Sequence, residues 1–206
     1  MNPVTRESWT YILPVAIAAT LLLLLRAFAA GSIALLILLL FVYFFRDPER
    51  MVPTGEGFIL APADGKVVGV STQAGEEGGG ILISIFLSLW DVHVNRSPVK
   101  GTVAGVNYKK GSFHLAFRDE ASVENEQNVI ALDHDRGRII MKQIAGLIAR
   151  RVLCWVQPGE EVQAGQRIGL IKFGSRVDLI VPPDSQIEVK AGDKVKAGVT
   201  IVGYLK

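Results

Sequence analysis

Three short stretches of this sequence place reactive side chains among apolar neighbours. "KFGSRVDLIVPP", from Lys172 to Pro183, interrupts a strand-like run with the dipeptide Gly174-Ser175. "APADGKVVG", from Ala61 to Gly69, presents Asp64 at a turn bounded by proline and glycine. "SLWDVHVNRSPVKG", from Ser88 to Gly101, sets Asp91, His93 and Asn95 at alternate positions, which share one face when the segment is extended. By type these are a hydroxyl, an imidazole and two carboxylates, the groups from which a nucleophile, a proton acceptor and an orienting partner are assembled. Each also has a purely architectural reading. A glycine-serine pair marks a bulge or bend, Asp64 caps a turn, and a lone strand histidine is commonly a hydrogen-bonded core residue. No G-x-S-x-G elbow is present.

The elements that must position these groups are short and β-type. "GKVVGV" (65–70), "GILISIFLSL" (80–89), "GTVAGVNY" (101–108), "NVIALDH" (128–134) and "GRIIMKQIAG" (137–146) read as strands separated by turn residues. The closing third repeats itself at an offset of 33 residues, with Val156, Gly159, Val162, Gly165 and Ile168 matching Val189, Gly192, Val195, Gly198 and Ile201. Duplicated hairpins with glycines at fixed places predict a compact, mainly β sandwich or barrel built from two similar halves, of the barrel-sandwich hybrid kind.

The amino-terminal region is different in character. From Ile12 to Phe45 the only charge is Arg26. As one helix this stretch would be about 50 Å long, against a bilayer core of about 30 Å, so it must break. Arg26 and Gly31-Ser32 are the places expected to break it. The result is an apolar helical hairpin over residues 1–45, with the β domain over 46–206. Arg6, Arg46 and Arg50 then fall on one side, which the positive-inside bias makes cytoplasmic. The first run is short enough to be re-entrant rather than spanning. A cleavable secretory signal ending at "AFAA" (27–30) is the rival reading.

The net charge of +2, without any dense basic stripe, argues against nucleic acid as a partner. A single cysteine, Cys154, excludes an internal disulfide and multi-cysteine zinc sites, and no metal site is expected. The hairpin repeat resembles the half-motifs of biotinyl and lipoyl carrier domains, which makes a membrane-attached carrier module the alternative function. Lys172 falls in the region of the carrier lysine, but the Met-Lys-Met signature is missing there; Met141-Lys142-Gln143 is only a faint likeness.

"PADG", "DVHVNRSPVKG", "NE" at 125–126 and "FGS" at 173–175 occur in the order found in phosphatidylserine decarboxylases. From about Phe45 to the carboxyl end, the chain resembles the short prokaryotic form of that family. The resemblance implies self-cleavage after Gly174 into chains 1–174 and 175–206, which stay together as a heterodimer. It implies that Ser175 becomes a pyruvoyl group, the cofactor, which takes up the primary amine of phosphatidylserine as a Schiff base and releases phosphatidylethanolamine. It further implies His93 as the base and Asp64 as its acidic partner, with Asp91 as the local alternative, and a protein at the cytoplasmic side of the cell membrane. Longer members carry "LGST" where this chain has "FGSR", and a second motif histidine where this chain has Arg96. His114 and His134 then default to loop or edge positions, and Arg96, Lys109 and Lys110 are the candidates for meeting the lipid phosphate.

Overall fold

The computed structural model describes residues 4–73, 79–111, 125–146, 152–172 and 174–206. His114 lies outside the described residues, as does Phe173. Two compact units are formed, Met1–Glu49 and Arg50–Lys206.

The first unit holds α1 (Trp9–Leu24) and α2 (Phe28–Phe44). The turn between them centres on Arg26, the only non-glycine residue with positive φ (58°) among the described residues. The expected break at Gly31-Ser32 does not occur, and both residues lie inside α2. The reason is packing: a Cβ on Gly31 would come within 2.6 Å of Leu23 Cδ2, so the glycine lets the helices approach rather than ending one. The hairpin closes where Thr5 N–H donates to Phe45 O at 3.0 Å. Leucines face outward on both helices, including Leu13, Leu21, Leu24, Leu36 and Leu39. By length and composition, the helix Arg6–Leu24 is apolar enough to cross a bilayer.

The second unit is mainly β, as the alternation of apolar residues and turn signals predicts. In chain order its strands are β1 (Phe58–Leu60), β2 (Gly65–Gln73), β3 (Gly80–Leu87), β4 (Val94–Arg96), β5 (Gly101–Lys109), β6 (Gln127–His134) and β7 (Gly137–Ile144). There follow β8 (Val152–Cys154), β9 (Glu161–Val162), β10 (Arg167–Ile171), β11 (Ser175–Val181), β12 (Gln186–Ile187), β13 (Lys194–Val195) and β14 (Ile201–Tyr204). An eight-stranded sheet of order β13-β2-β3-β11-β7-β6-β5-β9 curls into a half-barrel. Two three-stranded sheets, β1-β14-β12 and β4-β10-β8, complete the unit. The enclosed core includes Ile59, Val67, Ile83, Ile85, Ile130, Met141, Ile168 and Leu179, all fully buried.

The 33-residue repeat is structural. Its two copies put β9 and β13 on opposite edges of the large sheet, pairing with β5 and β2 respectively. The repeat glycines all take positive φ: Gly159 and Gly192 at 87° and 105°, Gly165 and Gly198 at 74° and 69°. Those are conformations that L side chains rarely adopt, so glycine is required at these turns. The duplication extends further than the repeat. "APADGKVVGV" (61–70) matches "SPVKGTVAGV" (97–106) in sequence, and Gly198 N bonds Ala61 O as Gly165 N bonds Ser97 O. In this frame Asp64 is the counterpart of Lys100. The carboxylate is what one half carries and the other lacks.

Candidate active site

β3 and β11 lie side by side in the large sheet, while β4 and β10 lie side by side in a small one. The chain passes from β3 to β4 through residues 88–93 and from β10 to β11 through residues 172–174. Because both ladders are antiparallel, the two crossovers run past each other in opposite directions. Ser175 opens β11 opposite Leu87, the last residue of β3, and Ile171 N–H donates to His93 O at 3.3 Å. The dipeptide and the histidine, 82 positions apart in sequence, thus share one corner of the fold.

Ser175 is fully buried, on the face of β11 that Val177 and Leu179 turn to the core. Its Oγ has no hydrogen-bond partner among the described residues. A buried hydroxyl left unpaired costs about 1–3 kcal/mol, so its retention asks for a chemical reason. Gly174 has φ +59°, and no atom lies within 4 Å of where its Cβ would be. Steric crowding therefore does not select glycine here. The left-handed backbone does, since it disfavours an L side chain by roughly 1–2 kcal/mol.

His93 is fully buried, and its Nδ1 lies 2.9 Å from the backbone oxygen of Asp91. A carbonyl can only accept, so in the neutral ring Nδ1 carries the proton and Nε2 keeps the basic lone pair. Asp91 contributes through its backbone. Its carboxylate accepts from Ser88 N at 2.8 Å and Ser88 Oγ at 2.6 Å, closing the turn that precedes the histidine.

Asp64 lies one residue before Gly65, whose Cβ would fall 2.2 Å from Phe86 O on β3, the strand with which Ser175 pairs. Its carboxylate accepts from Arg50 NH2 at 2.8 Å and from Ala197 N at 2.8 Å. Both contacts are largely buried. Asp64 thereby ties the turn before β2 to the second repeat hairpin and to Arg50.

A row of buried amides backs the corner. Asn128 Nδ2 donates to Gln143 Oε1 at 3.0 Å, and Gln143 Nε2 donates to Asn95 Oδ1 at 2.9 Å. Gln143 stands opposite Val177, on the face that Ser175 shares. Gly169 makes room for it, since a Cβ there would meet Gln143 Nε2 at 2.6 Å. Asn95 Nδ2 is left as a buried donor with no partner among the described residues.

Other sequence candidates fall elsewhere. Arg96 is buried and donates to Gly165 O at 3.0 Å, so it pins a repeat turn. Lys109 and Lys110 are exposed at the end of β5. His134 is half-buried at the end of β6, where burial pushes its pKa down against the opposing pull of Asp135. Lys172 is buried within its crossover rather than displayed on a hairpin tip, which a carrier lysine requires. From sequence Arg50 was named only for its side of the membrane and Gln143 only in the faint carrier likeness; neither they nor Asn128 were expected at this site. Gln143 had a signal, being a polar residue within the apolar "GRIIMKQIAG", whereas Arg50 had none.

A family profile for phosphatidylserine decarboxylase matches residues 37–203. A phosphatidylserine decarboxylase proenzyme of Solibacter usitatus (strain Ellin6076) is 47% identical over 196 residues, covering 93% of this chain and 92% of that protein. Proenzymes of the same name from Wolbachia pipientis wMel and Desulfotalea psychrophila (strain LSv54 / DSM 12343) are 42% and 41% identical, each over 98% of this chain and over 91% and 97% of their own lengths. With identity of this depth along nearly the whole chain, and with the glycine-serine junction and motif histidine brought to one corner, the chain belongs to the phosphatidylserine decarboxylase family.

Proposed function

We propose that this chain is a self-cleaving proenzyme that decarboxylates phosphatidylserine to phosphatidylethanolamine. The observation that carries the reading is the Gly174-Ser175 junction: left-handed glycine, then a buried hydroxyl with no partner among the described residues, at the crossover beside His93. Maturation uses the chain's own groups. Ser175 Oγ attacks the carbonyl carbon of Gly174 while His93 Nε2 takes the hydroxyl proton. The C–N bond breaks, an ester replaces the amide, and the freed nitrogen becomes the amine of residue 175. Loss of the α-proton expels the Gly174 carboxylate and leaves a dehydroalanine. Water then hydrolyses its imine tautomer, releasing ammonia and leaving a ketone at the start of the second chain.

The corner fits such a group. Residue 175 is already shielded from water, and the Asn95 amide, fixed by Gln143, offers a spare donor. A pyruvoyl ketone supplies a carbonyl that takes up a primary amine and an electron sink for the pair released as carbon dioxide leaves. His93, held by Asp91 O, is the group placed to move protons at that centre. Asp64 supports it by fixing the turn before β2 against Ala197 and Arg50.

The two products of cleavage remain associated. The segment 175–206 supplies β11, clasped between β3 and β7, together with β13 on β2 and β14 on β1. The bias of Arg6, Arg46 and Arg50 around the apolar hairpin supports a location at the cytoplasmic side of the membrane, where a lipid substrate is met. The test is incubation of the purified chain with phosphatidylserine vesicles, reading carbon dioxide release together with chain cleavage. An uncut chain that releases carbon dioxide, or a cut chain that releases none, would refute the assignment.

A further inference from the structure

The crossover that carries His93 also carries the most exposed aromatic side chain described in the β unit. Ser88 and Asp91 close a turn through Asp91 N to Ser88 O at 3.1 Å and through the Asp91 carboxylate on Ser88 N and Oγ. Leu89 and Trp90 form the tip of that turn, 45% and 65% exposed. A doubly fastened turn does not collapse to hide them, and no step of the maturation chemistry uses them. Two large apolar side chains are thus held largely exposed beside a buried reaction corner.

The charge next to this tip bears on what they meet. Lys66 stands directly opposite Lys194 on one side and opposite Phe86 on the other, so the three share a face of the sheet. Phe86 is three residues before Leu89. Both lysines are exposed, and like charges directly opposite in a ladder repel each other. The nearby Asp193 carboxylate accepts from Lys190 N at 2.9 Å. An anionic surface would relieve this repulsion while the tip enters the layer beneath it. Tryptophan at such a depth keeps its N–H in the headgroup region and its ring in hydrocarbon.

We infer that Leu89 and Trp90, flanked by Lys66 and Lys194, dock the β unit onto an anionic phospholipid bilayer, independently of the apolar helices. This rests on the reading that the substrate is a membrane lipid. The tip would bring the His93 crossover to the interface, so the headgroup need not leave the bilayer.

The full chain is tested in wild-type, Leu89→Ser/Trp90→Ser and Lys66→Gln/Lys194→Gln forms. Self-cleavage reports folding, and turnover is compared on phosphatidylserine/phosphatidylcholine vesicles and on short-chain phosphatidylserine dissolved as monomer. Both variants should cleave as wild type and turn over the monomer normally, while KM on vesicles rises on the order of 10-fold with kcat held. Raising the salt concentration should weaken wild type on vesicles and change the lysine variant little. An unchanged vesicle KM in the Leu89/Trp90 variant, or an equal loss on the monomer, overturns the proposal. A second measurement does not depend on turnover. In a Trp9→Phe/Trp155→Phe chain, Trp90 fluorescence should be quenched by phosphatidylserine vesicles with brominated acyl chains, and absence of quenching overturns the docking. Wild-type enzyme inert on both substrates but with Trp90 quenched would refute the proposed activity and leave the docking supported.

Discussion

His93 Nδ1 lies 2.9 Å from the backbone oxygen of Asp91, and that contact fixes Nε2 as the ring nitrogen with the basic lone pair. Because the orienting group is a backbone carbonyl, the tautomer survives any substitution of the Asp91 side chain that keeps the turn closed. The first prediction follows. His93→Ala should slow self-cleavage on the order of 10²- to 10⁴-fold, whereas His134→Ala, at the end of β6, should leave it within a factor of a few. Asp91→Asn, still able to accept from Ser88, should cleave nearly as wild type. Band intensities over time on a denaturing gel measure all three, and equal rates for His93→Ala and His134→Ala would remove His93 from the mechanism.

Asp64 and Arg50 should behave as a pair. The Asp64 carboxylate is bonded to Arg50 and to Ala197 N, both largely out of solvent. Arg50→Gln should therefore slow cleavage in the same direction as Asp64→Asn, with the double variant little worse than the more severe single one. Additive losses in that cycle would show that the two residues act separately.

Two glycines offer contrasting substitutions. At Gly174 the space for a Cβ is open and only φ is unfavourable, so Gly174→Ala should fold, lose roughly 1–2 kcal/mol locally and cleave slowly. At Gly65 a Cβ would lie 2.2 Å from Phe86 O in the adjacent strand, so Gly65→Ala should displace β2 and lower the thermal midpoint sharply. Thermal unfolding of both variants on an uncleavable Ser175→Ala background separates the two effects. Similar midpoints would contradict the geometry.

The amide row predicts a loss of stability without a loss of volume. Gln143→Met removes the donor to Asn95 and the acceptor for Asn128, leaving buried polar atoms unpaired. The expected cost is about 1–3 kcal/mol for each such group. Urea unfolding on the Ser175→Ala background should show it, and an unchanged midpoint would mean that water satisfies those groups.

Local chemistry was legible in the sequence, and long-range geometry was not. Gly174-Ser175, His93 and Asp64 stood out because each is polar or permissive inside an apolar run, and the repeat glycines revealed the duplicated hairpins. The second duplication, 61–70 on 97–106, was equally present in the letters, where Pro62, Gly65, Val67, Gly69 and Val70 match Pro98, Gly101, Val103, Gly105 and Val106. The register that sets Ser175 against Leu87 and Ile171 against His93 comes from the pairing of distant strands, for which no local residue carries a signal. Arg50 belongs to the same class, since only the fold shows that it meets Asp64. Gly31 was misread for a physical reason: glycine both ends helices and lets them touch, and only the position of Leu23 distinguishes the two. The strand expected to run to Leu89 stops at Leu87 because the Asp91 carboxylate takes Ser88 N into a turn.

The most direct test of the account is an intact-mass measurement on the purified wild-type chain beside Ser175→Ala. The account predicts two wild-type species, residues 1–174 and residues 175–206, the smaller one lacking a free amino terminus and lighter by one ammonia than a chain beginning with serine. Ser175→Ala should give one uncut species. A wild-type preparation that decarboxylates phosphatidylserine while remaining a single uncut chain, or whose small fragment begins with an unmodified serine, would contradict it.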